Sequence, residues 1–294
     1  MKAHWENIEI PGGQSFRIIR WDRNLEEVES LGPEGEARQV GGEGTHWHYH
    51  AEMELTWFRK GKGTRFVGDG IDLFEAGEVV LLGSFLPHYW HLEGDSAGIS
   101  IQWHFPRGHP FWAFPESACL GELLRAAGNG ILIGGTAAQE VSGLMKAVVS
   151  KSGLGRLGAL LALLERLSGK EEPESTVISS KPFALAEKSV YRHPMENAMR
   201  HVIANFREEV RLETLLELTS LSRATFSRQF RIHAGKSFSE FLLQLRIETA
   251  CRELLETDRT VTEIAYACGF GQISFFNRSF RRGMGCTPKE FRKR

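Results

Sequence analysis

Two apolar periods divide the chain. Between residues 16 and 105 the hydrophobic residues fall in short runs broken by Gly, Asp and Pro, the pattern of short antiparallel strands. Beyond residue 115 the spacing becomes helical. Residues 115–127 and 136–149 read as helices, and 154–167 (L-G-R-L-G-A-L-L-A-L-L-E-R-L) reads more strongly so. Residues 168–181 are polar and charged and contain a proline, which predicts a linker. Helical spacing then returns. Leu212, Leu215, Leu216 and Thr219 share one helix, residues 223–232 form another, and 239–255 form a long amphipathic third.

The last such stretch carries chemistry. Val261, Ile264, Ala265 and Cys268 recur at helical spacing, Gly269 suits a turn that needs positive φ, and Phe270, Phe276 and Phe280 give the next helix an apolar stripe. Ile273, Ser274, Asn277 and Arg278 are left on other faces. This predicts a helix-turn-helix. Ile264-Ala265, Gly269-Phe270, Ser274, Phe276, Arg278, Phe280, Gly285, Thr287-Pro288 and Phe291-Arg292 together resemble the C-terminal signature of the AraC/XylS transcription regulators. Phe275 stands where that family usually has Tyr.

The resemblance implies a second helix-turn-helix upstream. Residues 212–219, a turn at Leu221-Ser222 and residues 223–232 supply it, with Ser222 as N-cap and Phe226 and Phe230 facing inward. Ala224, Ser227 and Arg228 can then face outward. Leu216 replaces the family's small residue, and Ser220 stands where a left-handed turn residue is usual, at a cost of up to ~1–2 kcal/mol. The long helix between the units would set two recognition helices about one DNA turn, ~34 Å, apart. The expected DNA-facing set is Ala224, Ser227, Arg228, Ile273, Ser274, Asn277 and Arg278. An arginine there suits guanine and Asn277 suits adenine or a phosphate.

Charge changes the picture by its distribution. Residues 190–294 hold 18 Lys and Arg against 12 Asp and Glu, a net +6, while residues 1–189 hold 18 against 25, a net −7. A basic module on an acidic body suits phosphate neutralisation.

The front of the chain holds a histidine run, Thr45-His46-Trp47-His48-Tyr49-His50, whose alternation places three imidazoles on one face of a predicted strand. The spacing Gly42-x5-His48-x-His50-x3-Glu54-x6-Gly61 resembles the first cupin motif. Gly77 through Leu82 and Pro87-His88 resemble the second, without its usual Pro-x-Gly. The resemblance implies a small cupin-like β-barrel in which His48, His50, Glu54 and His88 hold one divalent ion (Zn, Fe, Mn or Ni) or line an effector pocket with Trp90. His46 and His91 lie outside the motif, and Trp47, Trp57 and Trp103 suit the barrel core. The runs W-H-Y-H, R-F-V-G-D and L-L-G-S-F-L-P-H resemble regulators of carbohydrate metabolism, which implies a sugar as effector.

Four cysteines, Cys119, Cys251, Cys268 and Cys286, show no metal-binding spacing and suit reduced thiols. The polar opening residues and the lack of ~18 consecutive apolar residues exclude a secretory leader and a membrane span as expectations, placing the chain in the cytoplasm.

The expected architecture is therefore α+β and multidomain. Residues 1–114 form a cupin-like sensor barrel, 115–167 a helical dimerisation segment, 168–189 a linker, and 190–294 an all-α pair of helix-turn-helix units. The expected function is a non-enzymatic, effector-controlled transcription regulator, a homodimer on a double-stranded DNA operator with RNA polymerase as a further partner. Two alternatives remain: a metal-dependent cupin oxygenase or isomerase fused to a DNA-binding module, and a constitutive DNA-binding dimer without effector. Leu157, Leu160, Leu161 and Leu164 serve either a dimer interface or a cover over the barrel.

Overall fold

The computed structural model describes residues 8–41, 44, 46–169, 175–183, 185 and 189–293. Gly42 and Thr45 of the histidine motif, residues 170–174 of the predicted linker, and Arg294 lie outside the described residues. The chain divides into two compact units, essentially residues 2–187 and 188–294.

The first unit is built on strands β1 (Phe16–Trp21), β2 (Glu27–Leu31), β3 (Ala37–Gly41), β4 (Met53–Lys60), β5 (Gly63–Val67), β6 (Gly70–Phe74), β7 (Val79–Leu82), β8 (His88–Leu92), β9 (Ala97–Trp103), β10 (Ile131–Ile133) and β11 (Ser175–Val177). Eight of them form one sheet in the order β11-β10-β7-β4-β9-β1-β2-β3, and β6-β5-β8 form a second. Among the described residues the expected cupin-like barrel is not closed: the large sheet is open, with β3 and β11 as its two unjoined ends. Closure requires strand number, tilt and stagger to bring the end strands into register. Here β3 is almost wholly exposed and β11 is three residues long. The fold class is thus an open antiparallel sheet with helices, followed by an all-α unit.

Alternation along the strands gives the large sheet two different faces. Phe16, Ile18, Met53, Leu55, Trp57, Val79, Leu81, Ile99, Ile101 and Trp103 pack beneath α1 (Leu120–Ala127), α2 (Gly135–Ser150) and α3 (Gly153–Leu167). On the reverse face Ile19, Trp21, Phe58, Val80 and Leu82 meet Val67, Phe74, Leu86 and Trp90 of the small sheet and its loops. The four tryptophans at 47, 57, 90 and 103 are all buried.

Leu160, Leu163 and Leu164 of α3 are buried on the sheet, so they cover it, while Leu154 and Leu161 stay exposed. The predicted linker is not featureless. Ser175–Val177 pairs with β10, and the Ser179 hydroxyl donates to Asp69 at 2.8 Å, tying this stretch to the first unit. Residues 115–119 form a 3-10 turn ahead of α1.

The second unit contains α4 (Arg192–Asn205), α5 (Leu212–Thr219), α6 (Arg223–Ala234), α7 (Phe238–Glu256), α8 (Val261–Ala267), α9 (Ile273–Met284) and α10 (Pro288–Phe291). Helix starts are written in capping residues. Ser222 accepts from the Thr225 amide, and Ser237, Thr260 and Thr287 each form a capping box with the Glu three residues on. Phe226 and Phe230 of α6 are fully buried near Phe241, and Phe276 and Phe280 of α9 are buried with Ile264, Ala265 and Phe270.

The two turns solve one problem differently. Gly269 has φ +83, and an added Cβ would stand 2.6 Å from the Phe206 carbonyl oxygen, so only glycine fits. Ser220 takes the left-handed conformation at φ 54 despite its side chain.

Candidate functional site

The first site grows from the loop before β4 and the start of β8. His48 is not in a regular strand; it forms an isolated bridge with His88, each amide donating to the other's carbonyl at 3.1 and 2.9 Å. His46 is exposed, while His48 and His50 are buried, so the third imidazole leaves the cluster. The Phe85 amide donates to the His50 carbonyl at 2.7 Å, which pins the loop after β7 to the histidine segment. Phe85 takes φ 60 to make this contact, a conformation costly for an aromatic residue at about 1–2 kcal/mol.

Nδ1 of His48, His50 and His88 each faces a backbone carbonyl, of His46 at 2.6 Å, Glu52 at 3.0 Å and Leu86 at 2.8 Å. Donation from Nδ1–H of His88 leaves its Nε2 lone pair available to ligate, the arrangement that orients metal-ligating imidazoles, whereas Nε2 of His50 faces the Glu54 carboxylate. One ligand nitrogen from each histidine lies within 4.8 Å of the others. The buried His88 Nε2 has no hydrogen-bond partner among the described residues, so the donor set fits a divalent ion.

Glu54 stands at the edge of this trio, 3.2 Å from Nε2 of His50 and 4.0 Å from Nε2 of His88. Gln102 and Thr56 donate to its two oxygens at 2.8 and 2.5 Å, and Thr56 also bonds Ser100. Burial alone would raise the Glu54 carboxyl. The contacts with His50, His88 and the Thr56 hydroxyl outweigh it and hold the group well below the usual carboxylate range. Burial and the neighbouring His48 push His88 well below the usual imidazole range, against the pull of Glu54, which leaves it neutral and able to ligate.

The sequence reading missed Thr56, Ser100 and Gln102. Their signal is present in β9, where Ser100 and Gln102 interrupt Ile99, Ile101 and Trp103 with a period of two.

The space beside this cluster is about 30 Å³, lined by His48, Glu54, Trp90, Ser100 and Gln102 together with Trp21. That admits roughly two waters. The expected sugar effector loses its cupin site, since among the described residues the sheet does not close into a barrel. Trp90 does line this space, as well as packing on Phe58 and Phe74.

The second site lies on α6 and α9. With the phenylalanines turned inward, Ala224, Ser227 and Arg228 are exposed on α6, and Ser274, Asn277 and Arg278 on α9; Ile273 is half-buried. Arg231 and Arg281, one turn beyond Arg228 and Arg278, are exposed as well and extend each basic face. The i, i+3 spacing could have revealed both.

Residues 215–294 match the sequence family described as "Helix-turn-helix domain". The second unit carries a helix-turn-helix domain. The chain is 32% identical over 158 residues to the "HTH-type transcriptional activator RhaS" of Enterobacter sp. (strain 638), covering 49% of this chain and 56% of that protein. It is 40% identical over 89 residues to the protein of the same name from Salmonella arizonae, covering 30% of this chain and 32% of the relative. The chain thus spans about half the length of the first of these relatives and a third of the second. Among solved structures, the DNA-binding domain of AdpA in complex with a target DNA is 31% identical, covering 34% of this chain and 90% of that one, with a TM-score of 0.33. Both of these relatives are named as transcriptional activators. Among the described residues no helix is long and apolar enough to cross a membrane.

Proposed function

We propose that this chain is a sequence-specific DNA-binding transcription regulator of the AraC type. The observation that carries the reading is the division of each outer helix of the helix-turn-helix domain into a buried phenylalanine face and an exposed face bearing arginine. Ala224, Ser227 and Arg228 form one DNA-facing set, and Ile273, Ser274, Asn277 and Arg278 the other. Arginine offers a bidentate fork for the O6 and N7 of guanine, and a single helix fits the major groove. The relatives named as transcriptional activators support the same reading.

The first unit serves this regulator as a metal-capable body rather than a sugar sensor. His48, His50 and His88 would hold one divalent ion of the zinc, iron, manganese or nickel class, with Glu54 as a fourth ligand. A bound ion would tie the histidine segment to the loop after β7. Two copies would pair through the first unit, where α3 leaves Leu154 and Leu161 exposed.

Selection from random-sequence DNA duplexes by the purified full chain tests the regulator reading. A common sequence should be enriched and should bind by fluorescence anisotropy far more tightly than a scrambled duplex. Equal affinity for both duplexes would remove the claim of sequence-specific recognition.

A further inference from the structure

The helix side of the large sheet holds a second cavity that neither the DNA-facing helices nor the histidine cluster uses. Its volume is about 220 Å³. Trp103, Phe105 and Trp112 supply aromatic walls, and Met53, Leu123 and Leu164 close the rest from β4, α1 and α3. An engineered cavity of ~150 Å³ already takes up benzene, so this one has room for a ring and a small substituent.

Its polar side chains are few, the Trp112 indole, His104 and Ser84. The Trp112 indole N–H is committed to the Phe105 and Pro106 carbonyls at 2.9 and 3.1 Å, which fixes the ring as a flat apolar surface. His104 is half-buried in the lining, and its imidazole makes no hydrogen bond or ion pair with the described residues. Ser84 lines the same cavity with its hydroxyl uncommitted among the described residues. An apolar enclosure with one or two uncommitted polar groups is the usual composition of a small-ligand pocket.

We infer that this cavity is a binding site for a single-ring aromatic molecule carrying one oxygen function, a phenol or a benzoate. The ring lies against Trp103 and Trp112, whose faces favour offset or edge contacts with another aromatic. The oxygen meets His104, with Ser84 as the second partner. The site is the reverse side of the histidine cluster. Met53 pairs with Trp103 across β4 and β9 on the cavity side, and the adjacent pair, Glu54 and Gln102, faces the cluster.

The test is isothermal titration calorimetry of the full chain with phenol, benzoate and, as a linear apolar control, octanoate. Phenol or benzoate should bind saturably with one site per chain, and whichever binds names the oxygen function. Octanoate should bind more weakly. His104→Ala should weaken the aromatic ligand about tenfold by removing its hydrogen-bond partner. Leu124→Trp, which fills the cavity from its half-buried rim, should abolish binding while circular dichroism stays that of the parent. No saturable heat with either ring compound overturns the assignment. So does equal binding of octanoate, or undiminished affinity in both variants.

Discussion

Gln102 donates a 2.8 Å hydrogen bond from β9 to the Glu54 carboxylate on β4, directly across the strand pair. The carboxylate it holds is buried and ionised and touches His50, so the amide acts on the histidines through Glu54. Gln102→Leu leaves a buried charge with one donor fewer, which should cost about 1–3 kcal/mol in denaturant unfolding. It should also weaken zinc binding measured by competition with a chromophoric chelator. Unchanged stability and unchanged zinc affinity would show that Thr56 and His50 alone hold the carboxylate.

The same cluster sets a pH dependence of stability in the metal-free chain. His88 has its folded value depressed by burial and His48, so below the ordinary imidazole value of ~6.5 the unfolded state binds the proton that the folded state refuses. Stability should therefore fall as pH drops below that value. Glu54 is depressed too, and its contribution, present above its unfolded value of ~4.3, is lost at still lower pH as the folded carboxyl protonates. Both limbs run the same way. Urea midpoints measured with chelator present should decrease from pH 7.5 to 5.5, and His88→Gln should flatten that first limb. A flat wild-type profile would contradict a buried neutral His88.

Much of this was legible because the relevant signals are local. The second helix pair is announced by Gly269, by the phenylalanine spacing and by Thr287 capping Pro288–Phe291, all of which act within a few residues. His48 and His50 came from alternation and the resemblance to the first cupin motif and His88 from the resemblance to the second, and the structure brings these three together. Barrel closure was not legible, because it depends on which strands become edges. Pairings such as Phe16 with Trp103 set that order over a long stretch of chain, and local alternation looks the same in an open sheet. Gln102 was hidden for the same reason. Its partner is decided by cross-strand register rather than by neighbours in sequence.

The two turn residues of the helix-turn-helix pairs should respond to substitution with opposite signs. Ser220 is exposed in the left-handed region, so Ser220→Gly should relieve backbone strain and stabilise by about 0.5–1 kcal/mol. Gly269→Ala adds a Cβ 2.6 and 2.8 Å from the carbonyl oxygens of Phe206 and Arg207, at a φ of +83. It should destabilise by about 2 kcal/mol or more. Urea denaturation of both variants checks the pair. Equal effects would mean that the turns tolerate strain alike.

Thiol reactivity should divide by burial. Cys268 is buried beneath α8 and α9, and burial pushes its thiol up to about 11, so little thiolate is present at neutral pH. Cys251 is buried as well, whereas Cys119 is exposed. Alkylation of the native chain at pH 8 followed by mass mapping should label Cys119 first, and Cys251 and Cys268 only after denaturation. Rapid native labelling of Cys268 would show that the packing of Phe270 and Phe276 opens readily.

Arg278 and Arg228 occupy matching places on α9 and α6, and their roles separate by salt and by sequence. An arginine that reads a base supplies about 1–3 kcal/mol of discrimination at one position, so its loss relaxes specificity there. An arginine that neutralises a phosphate lowers affinity for every sequence and reduces the slope of log affinity against log salt by about one. Arg278→Ala should behave as the first, with the enriched duplex losing affinity and a single-base variant of it losing less. Arg231→Ala, one turn beyond Arg228 on the flank of α6, should behave as the second. Anisotropy titrations at several salt concentrations distinguish the two. If Arg278→Ala lowers affinity equally on matched and mismatched duplexes, α9 is held by the backbone and reads no base at that position.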